Sequence, residues 1–510
     1  MKRLLLALSL LTAAATSQAQ TPAAPIPPAT PQYRPSYHFS PARMWMNDPN
    51  GMVYVNGTYH LFFQHYPDAM VWGPMHWGHA TSQDLVHWQE QPIALYPDKL
   101  GWIFSGSAVV DKDNTAGFGK NALVAIFTHH NDPEEKKKTN KHQYQSLAYS
   151  LDGGQTWTKY AGNPVLPNPG IQDFRDPKVS WNAAAKKWIM TLATKDRITF
   201  FSSPNLKQWT KESEFGAKLG AHGGVWECPD LFPLTVDGKT KWVLLVSINP
   251  GGPNGGSATQ YFLGQFDGKK FTPDQAAPPT KWVDYGTDNY AGVTWNNAPN
   301  GRRLFLGWMS NWEYANQVPT SPWRNAMTVP RELALQRVGK EVYLTSRPAQ
   351  EVAQLMQPGA VHLTGLPVKT ELDLTTRLPQ PLSDKMRLEL STAQLTDFSL
   401  VLGNKRGEEL LIGYDKKANQ YFVDRTKAGP SGFSAKFAGR HPAPRRATTA
   451  GADLTLLFDA TSVELFADGG LTTMTELFFP SEPYTTLKLR SSAGLVISEF
   501  DYAKLAPDAN

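Results

Sequence analysis

The sequence predicts an all-β protein, a five-bladed β-propeller followed by a C-terminal antiparallel β-sandwich. Three observations lead there. Helix-period apolar patterns are almost absent, and short β-rich runs bounded by Gly, Pro, Asn and Asp dominate the 510 residues. One plan recurs five times before residue 350: a polar cluster, two apolar strands, then a turn closed by an aromatic. Beyond residue 361 the runs change character, alternating apolar and polar side chains as half-buried antiparallel strands do.

The chain opens MKRLLLALSLLTAAATSQAQ. A basic start, an apolar run and small residues at Ser17 and Ala19 predict a signal peptide over residues 1–19, too short to span a membrane. Residues 20–36, with TPAAPIPPATPQYRPS, predict a Pro/Ala-rich linker, extended and mobile. Cleavage after Ala19 removes Lys2 and Arg3 and no acid, so the formal charge falls from +5 to +3. That is too little to imply a nucleic acid or an anionic surface. The lone Cys228 excludes an internal disulfide and lies far from any lipoprotein cleavage site. A secreted or periplasmic protein, with no membrane attachment after cleavage, is expected.

The propeller is expected over 37–350. Its five repeats begin NDPNGMVYV, FSGSAVV, FRDPKVSW, ECPDLFPL and NYAGVTW. The first three close with SQDLVHW, SLDGGQTW and SPNLKQW, the fourth with FDGKKF, and the fifth has its last strand in VPRELAL. Asp48, Gly106, Asp176, Glu227 and Tyr290 mark the polar clusters at separations of 58, 70, 51 and 63 residues. A period of about 60 with several short strands fits four-stranded propeller blades. A β-sandwich with accidental hairpin similarity is the competing reading. Segment 346–360 is read as the connection and 361–510 as the sandwich, in which nothing looks catalytic.

A propeller has a chemical consequence. Its blades surround a channel, so polar clusters at the starts of innermost strands meet at one mouth. Asp48, Asp176 and Glu227 then form one site. Two carboxylates in different settings can perform glycoside hydrolysis, one attacking and one donating a proton. Asp48, among the backbone donors of a tight NDPNG turn, suits the ionised nucleophile. Glu227, between Trp226 and Cys228, has apolar neighbours that favour the protonated acid. Asp176, directly after Arg175, is expected to stay charged and grip sugar hydroxyls. Trp45, Trp72, Trp77, Trp226 and Trp312 offer flat apolar faces for a sugar, although with 16 Trp in the chain some must be core.

MNDPNG (46–51), FRDP (174–177) and ECPD (227–230), in that order, resemble the signatures of glycoside hydrolase family 32. WGHATSQDLVHW (77–88), FSGSAV (104–109), MSNWEYANQVPTSPWR (309–324) and SVELFADGGLTTMTELFFP (462–480) extend the match to about 37–505. The resemblance implies a retaining double displacement on a terminal β-fructofuranoside. Asp48 matches the nucleophile, Glu227 the acid/base, and Asp176 the carboxylate that stabilises the transition state. Asn47, Gln64, Trp72, Phe104, Ser105, Arg175, Tyr290 and Trp312 match fructose-pocket positions. The 309–324 stretch looks like those of exo-acting fructanases, so release of fructose from fructan, and from sucrose, is implied. A fructosyltransferase would use the same residues, and a non-catalytic sugar-binding propeller would have no use for them.

Other motifs carry less. GGPNGG (251–256) lacks the ending of a phosphate loop. His76, His79, His129 and His130 have no partners at metal-ligand spacing, and neither metal nor cofactor is expected. EEKKK (134–138) reads as a solvated loop.

Overall fold

A computed structural model describes residues 26–505. The expected signal peptide and the first residues of the expected linker lie outside this range. Five antiparallel sheets follow one another along the chain, each entered through its first strand: Met44–Val55, Trp102–Asp111, Phe174–Asn182, Val225–Val236 and Tyr290–Thr294. Each first strand packs against the first strands of the two flanking sheets, and that of sheet five returns to that of sheet one. The ring is therefore closed, and the sheets are the blades of a five-bladed propeller. Trp323–Arg324, from the blade-five segment, adds parallel to Met44 and Trp45 on blade one, pinning the last blade to the first.

Each blade interface holds its own apolar cluster. Phe62, Trp77, Ile103 and Phe127 fill the space between blades one and two, Val124, Ile126, Trp188 and Met190 that between two and three. Phe200, Trp226 and Leu244 join three to four, Val243, Phe305 and Leu333 join four to five, and Trp45, Met46, Leu306 and Trp308 join five to one. The aromatic-closed turns of the first three blades end their third strands. Ser82 Oγ accepts from Asp84 N and Leu85 N, and Asp84 Oδ1 accepts from Val86 N. Ser150–Asp152 and Ser203–Asn205 repeat this use of short side chains as backbone acceptors. Blade five departs from expectation: Arg331–Val338, which takes in all of the VPRELAL run but its first two residues, is its third strand, and Glu341–Pro348 is its last.

The remaining strands form two six-stranded sheets packed face to face, the β-sandwich. Met386–Thr392 alternates buried and half-buried residues along its whole length, and Leu388, Leu400, Ile412, Leu456 and Leu489 meet in the core.

Propeller and sandwich are joined by buried charge. Arg331 Nη1 lies 2.8 Å from Asp284 and its Nε donates to Glu464 at 3.0 Å. Arg425 pairs with Asp288 at 2.6 Å and Glu476 at 3.0 Å. All six side chains are buried. The linker residues within the described range are seated rather than free. Thr30 N donates to Ser321 O at 2.9 Å, Arg34 stacks over Trp323 at 4.4 Å, and Ser36 N donates to Asp459 at 2.9 Å.

Beside them, His38 presents Nδ1 to Asp459 at 2.9 Å and Nε2 to Glu464 at 2.8 Å. With a carboxylate on each ring nitrogen, only the doubly protonated imidazole satisfies both. Burial opposes that charge, but the two carboxylates outweigh it and raise His38 from 6.5 to about 9. A folded-state value above the unfolded one contributes stability fully present below pH 6.5 and lost as pH rises through about 9, worth ~3 kcal/mol. Chemical denaturation of the wild type is expected to reveal that loss between pH 6.5 and 9, and His38→Gln to abolish this pH dependence. A His38→Gln curve parallel to wild type would refute it.

Candidate active site

The site is built from one backbone feature used five times. In every first strand the ladder to the second slips by one residue at an equivalent place, Met46/Pro49, Ile103/Gly106, Arg175/Lys178, Glu227/Asp230 and Tyr290/Val293, and blade one slips once more at Asn50/Val53. Each slip is a β-bulge, which bends the strand and re-aims side chains. NDPNG therefore does not reverse the chain as a turn. Its turn-forming residues keep Met44–Val55 one continuous strand with a bulge at Asn47–Asp48. In blades three, four and five the first bulged residue, Asp176, Cys228 or Ala291, has positive φ, at 65°, 44° and 54°. This conformation is uncommon for residues other than Gly and is held by the surrounding sheet.

The bulges set the three carboxylates on different rungs. Glu227 occupies the residue before the slip, as Arg175 and Tyr290 do in their blades. Asp176 is the first bulged residue and Asp48 the second, level with Ser105. All three acids line one cavity of about 370 Å³, within the range of small-ligand sites. Asn47, Gln64, Trp72, Phe104, Ser105, Arg175 and Trp312 line it too. Tyr290 is placed differently from the expected pocket wall. It is 1 % exposed and sits behind Glu227, to which its hydroxyl donates.

Asp48 is held from three sides. Ser105 Oγ donates at 2.6 Å, Asn47 Nδ2 at 2.9 Å and Cys228 Sγ at 3.3 Å. Trp45 Nε1 in turn fixes Asn47 Oδ1 at 2.8 Å. The Cys228 thiol also reaches Asp176 at 3.5 Å, and Cys228 N donates to the same oxygen at 3.0 Å. Burial pushes this thiol up, with Asp176 and Asp48 adding to the effect, so it remains a donor. Arg175 holds Glu227 through Nη2 at 2.8 Å and Nε at 3.2 Å, and its Nη1 donates to Asp173.

Two expectations about setting are corrected. Glu227 is not walled by apolar neighbours: Trp226 is buried between blades three and four, and the partners of Glu227 are Arg175 and Tyr290. Adjacent strand residues face opposite ways, so flanking residues did not describe its surroundings. Nor does Arg175 keep Asp176 firmly charged. Its guanidinium is taken by Glu227 and Asp173, with Nε still 4.0 Å from Asp176. Burial, and then the charges of Glu227 and Asp48, push Asp176 up to about 7 despite Arg175 and the Cys228 N–H. Of the five tryptophans proposed as sugar platforms, Trp45, Trp77 and Trp226 are fully buried in blade interfaces. Trp72, 39 % exposed, and Trp312, stacked on Trp45 at 5.8 Å, remain at the cavity.

His130, Glu135, Gln143, Asp173, Asn249 and Asn316 complete the lining, and sequence reasoning missed them. Phe104 stacks on His130 at 4.3 Å, and Glu135 lies 3.2 Å from His130 Nε2. Glu135 belongs to the charge run read as a solvated loop. Residues 134–136 of the run belong to a short helix, Asp132–Lys136, and Glu135 is the one acid of that helix that lines the cavity. Asp173, two residues before Arg175, had a visible signal in its spacing. Among the described residues no group of three or more His, Cys, Asp or Glu is arranged to hold a metal ion.

Below the acids the channel is plugged. Lys178 pairs with Asp230 at 3.1 Å and donates to Thr294 O, while Asn296 Nδ2 bonds Ala108 O at 2.7 Å and Val179 O at 3.1 Å. The cavity is thus a blind pocket, polar at its floor and aromatic at its rim.

An acid cluster at the end of a propeller channel, with the aromatic faces of Trp72 and Trp312 beside it, holds the groups that glycoside hydrolysis needs. The comparisons give the family. Residues 38–348 match the glycosyl hydrolases family 32 N-terminal domain, and residues 351–505 match the glycosyl hydrolases family 32 C terminal model. Levanase of Bacillus subtilis is 47% identical over 475 residues, covering 91% of this chain and 68% of that protein. Extracellular exo-inulinase of Aspergillus niger is 41% identical over 499 residues, covering 91% and 92%. Among solved structures, exo-inulinase from Aspergillus awamori superposes with a TM-score of 0.85 at 37% identity, covering 93% of this chain and 98% of that one. A β-fructofuranosidase from Schwanniomyces occidentalis, complexed with fructosyl-erythritol, also gives 0.85, at 32% identity and with 94% and 100% covered. The chain belongs to glycosyl hydrolases family 32.

Because part of the rise at Asp176 comes from Glu227, neutralising Glu227 should lower it. Carbon-13 NMR of aspartate-labelled protein is expected to find a carboxyl titrating near pH 7 that moves toward the ordinary range in Glu227→Gln. An unmoved midpoint would contradict the shared electrostatics.

Proposed function

We propose that the protein is an exo-acting β-fructosidase that releases terminal fructose from fructans, and from sucrose, by a retaining double displacement. The observation that carries this reading is the blind pocket holding Asp48, Asp176 and Glu227 together. A pocket closed beneath its acids admits a chain end and not the middle of a polymer. The relatives named levanase and exo-inulinase support the same substrate class.

Asp48, fixed by Ser105, Asn47 and Cys228, attacks the anomeric C2 of the terminal fructose. Glu227, aimed by Arg175 and Tyr290 and charged in the free site, takes up a proton as substrate fills the pocket and gives it to the leaving oxygen. The bond from C2 to that oxygen breaks and a fructosyl ester on Asp48 forms. Glu227 then takes a proton from water, which attacks C2 from the vacated side and frees Asp48. Asp176 stands ready to hold the ring hydroxyls, and its proton affinity near neutrality suits a short hydrogen bond to them. Asn47, Gln64, Trp72, Phe104, Ser105, Arg175 and Trp312 bind the sugar, and Tyr290 positions Glu227. Export follows from the N-terminal Lys–Arg start and leucine run, and relatives named extracellular agree.

Asp48→Asn and Glu227→Gln are each expected to cut kcat by about 10³-fold with the fold intact. Timed chromatography of levan, inulin and sucrose digests is expected to find fructose as the only sugar released from either polymer. Early oligosaccharides from the polymers, or near-normal rates in either variant, would overturn this reading.

A further inference from the structure

A second cavity lies at the other end of the channel. It measures about 600 Å³ and is lined by the far ends of the first strands, Val109–Asp111 and Ser180–Asn182, with Asn297 and Arg303. Five residues of strand separate Asp176 from Trp181, a distance of about 17 Å. The Lys178–Asp230 pair and Asn296 stand between the two cavities, so this one is no extension of the first.

Its lining has features that packing alone leaves unused. Trp45 and Trp226, also on first strands, are fully buried, whereas Trp181 is 41 % exposed. Trp188 supports it edge-on at 5.1 Å and is itself anchored through Nε1 to Thr115 Oγ1 at 2.8 Å. Arg303 lies over the Phe232 ring at 4.8 Å, and its Nε is enclosed without a hydrogen-bond partner among the described residues. Two of the lining acids are occupied, Asp111 by Thr115 N and Ala116 N and Asp230 by Lys178 and Thr294, while the third, Asp113, is exposed at the edge next to Lys112. A flat apolar face beside the Arg303 guanidinium, in a lining that mixes acids and cations, matches a neutral polyol better than an ion.

We infer that this rear cavity is a second, non-catalytic carbohydrate site that holds an internal stretch of a fructan chain, with Trp181 as its stacking face and Arg303 as its hydroxyl donor. The choice of fructan rests on the function proposed above. A polymer whose end is consumed at one mouth is long enough to be held at the other, and such anchoring raises the local concentration of chain ends.

The test uses the Glu227→Gln protein, which should not degrade the polymer, run through native gels containing levan or inulin. Adding Trp181→Ala is expected to weaken retention by about fivefold or more in at least one polymer. In the active enzyme the same change should raise KM for that polymer while leaving kcat/KM for sucrose unaltered, and Trp181→Tyr should restore retention. Retention within twofold of the parent in both gels would overturn the inference, as would an equal loss on sucrose, which would mark a general defect. Absence of fructose release by the wild type would instead count against the proposed activity, because the gel reads binding independently of turnover.

Discussion

Everything at the site depends on the one-residue slip in the ladder between the first and second strand of each blade. A regular strand sends successive side chains to opposite faces, so Asp48, Asp176 and Glu227 would be divided between channel and blade interfaces according to register. The bulge removes that constraint locally. It lets Asn47 with Asp48, and Asp176 with Cys228 from the next blade, meet at one mouth. Closure of the ring keeps the bulges in place, because each first strand is flanked by two others and cannot relax outward. Positive φ at Asp176 and Cys228 is tolerated on the same account.

The second constraint is the charge buried between propeller and sandwich. Arg331 and Arg425 are wholly enclosed with four carboxylates, and His38 is clamped between two. The arginine pairs are costly to desolvate and costlier to break, so they fix one docking of the two parts more than they add net stability, while the His38 charge contributes only where the pH keeps it protonated. Asp284 and Asp288, in the chain between blades four and five, are members of this network. Tyr290 follows two residues later and touches Glu227. The sandwich thereby helps to set the start of blade five, which places it in the same mechanical unit as the pocket without any residue in the cavity.

Much of this was legible in the sequence, and what was not has a common cause. The blade repeat was readable because every blade spends its polar residues at the same place and the first four close their third strands with short side chains. The markers nevertheless missed the structural repeat by up to three residues. The true equivalents are Met46, Ile103, Arg175, Glu227 and Tyr290, and a bulge hides register from any pattern based on alternation. Neighbours in sequence misled for the same reason. Trp226 and Arg175 were read as the surroundings of Glu227 and Asp176, yet Trp226 faces a blade interface and Arg175 serves Glu227 more closely than Asp176. Rim residues such as His130, Glu135 and Gln143 belong to a blade-two excursion whose path over the mouth no local pattern encodes.

The central claim is that residues on three different rungs of three blades address one sugar ring. A crystal structure of the Glu227→Gln protein with a short fructo-oligosaccharide tests it most directly. The terminal fructose should sit on the pocket floor with its C2 about 3.5 Å or less from an Asp48 oxygen, its hydroxyls on Asp176, and the linking oxygen beside residue 227. A terminal ring bound elsewhere, or one with C2 turned away from Asp48, would contradict it.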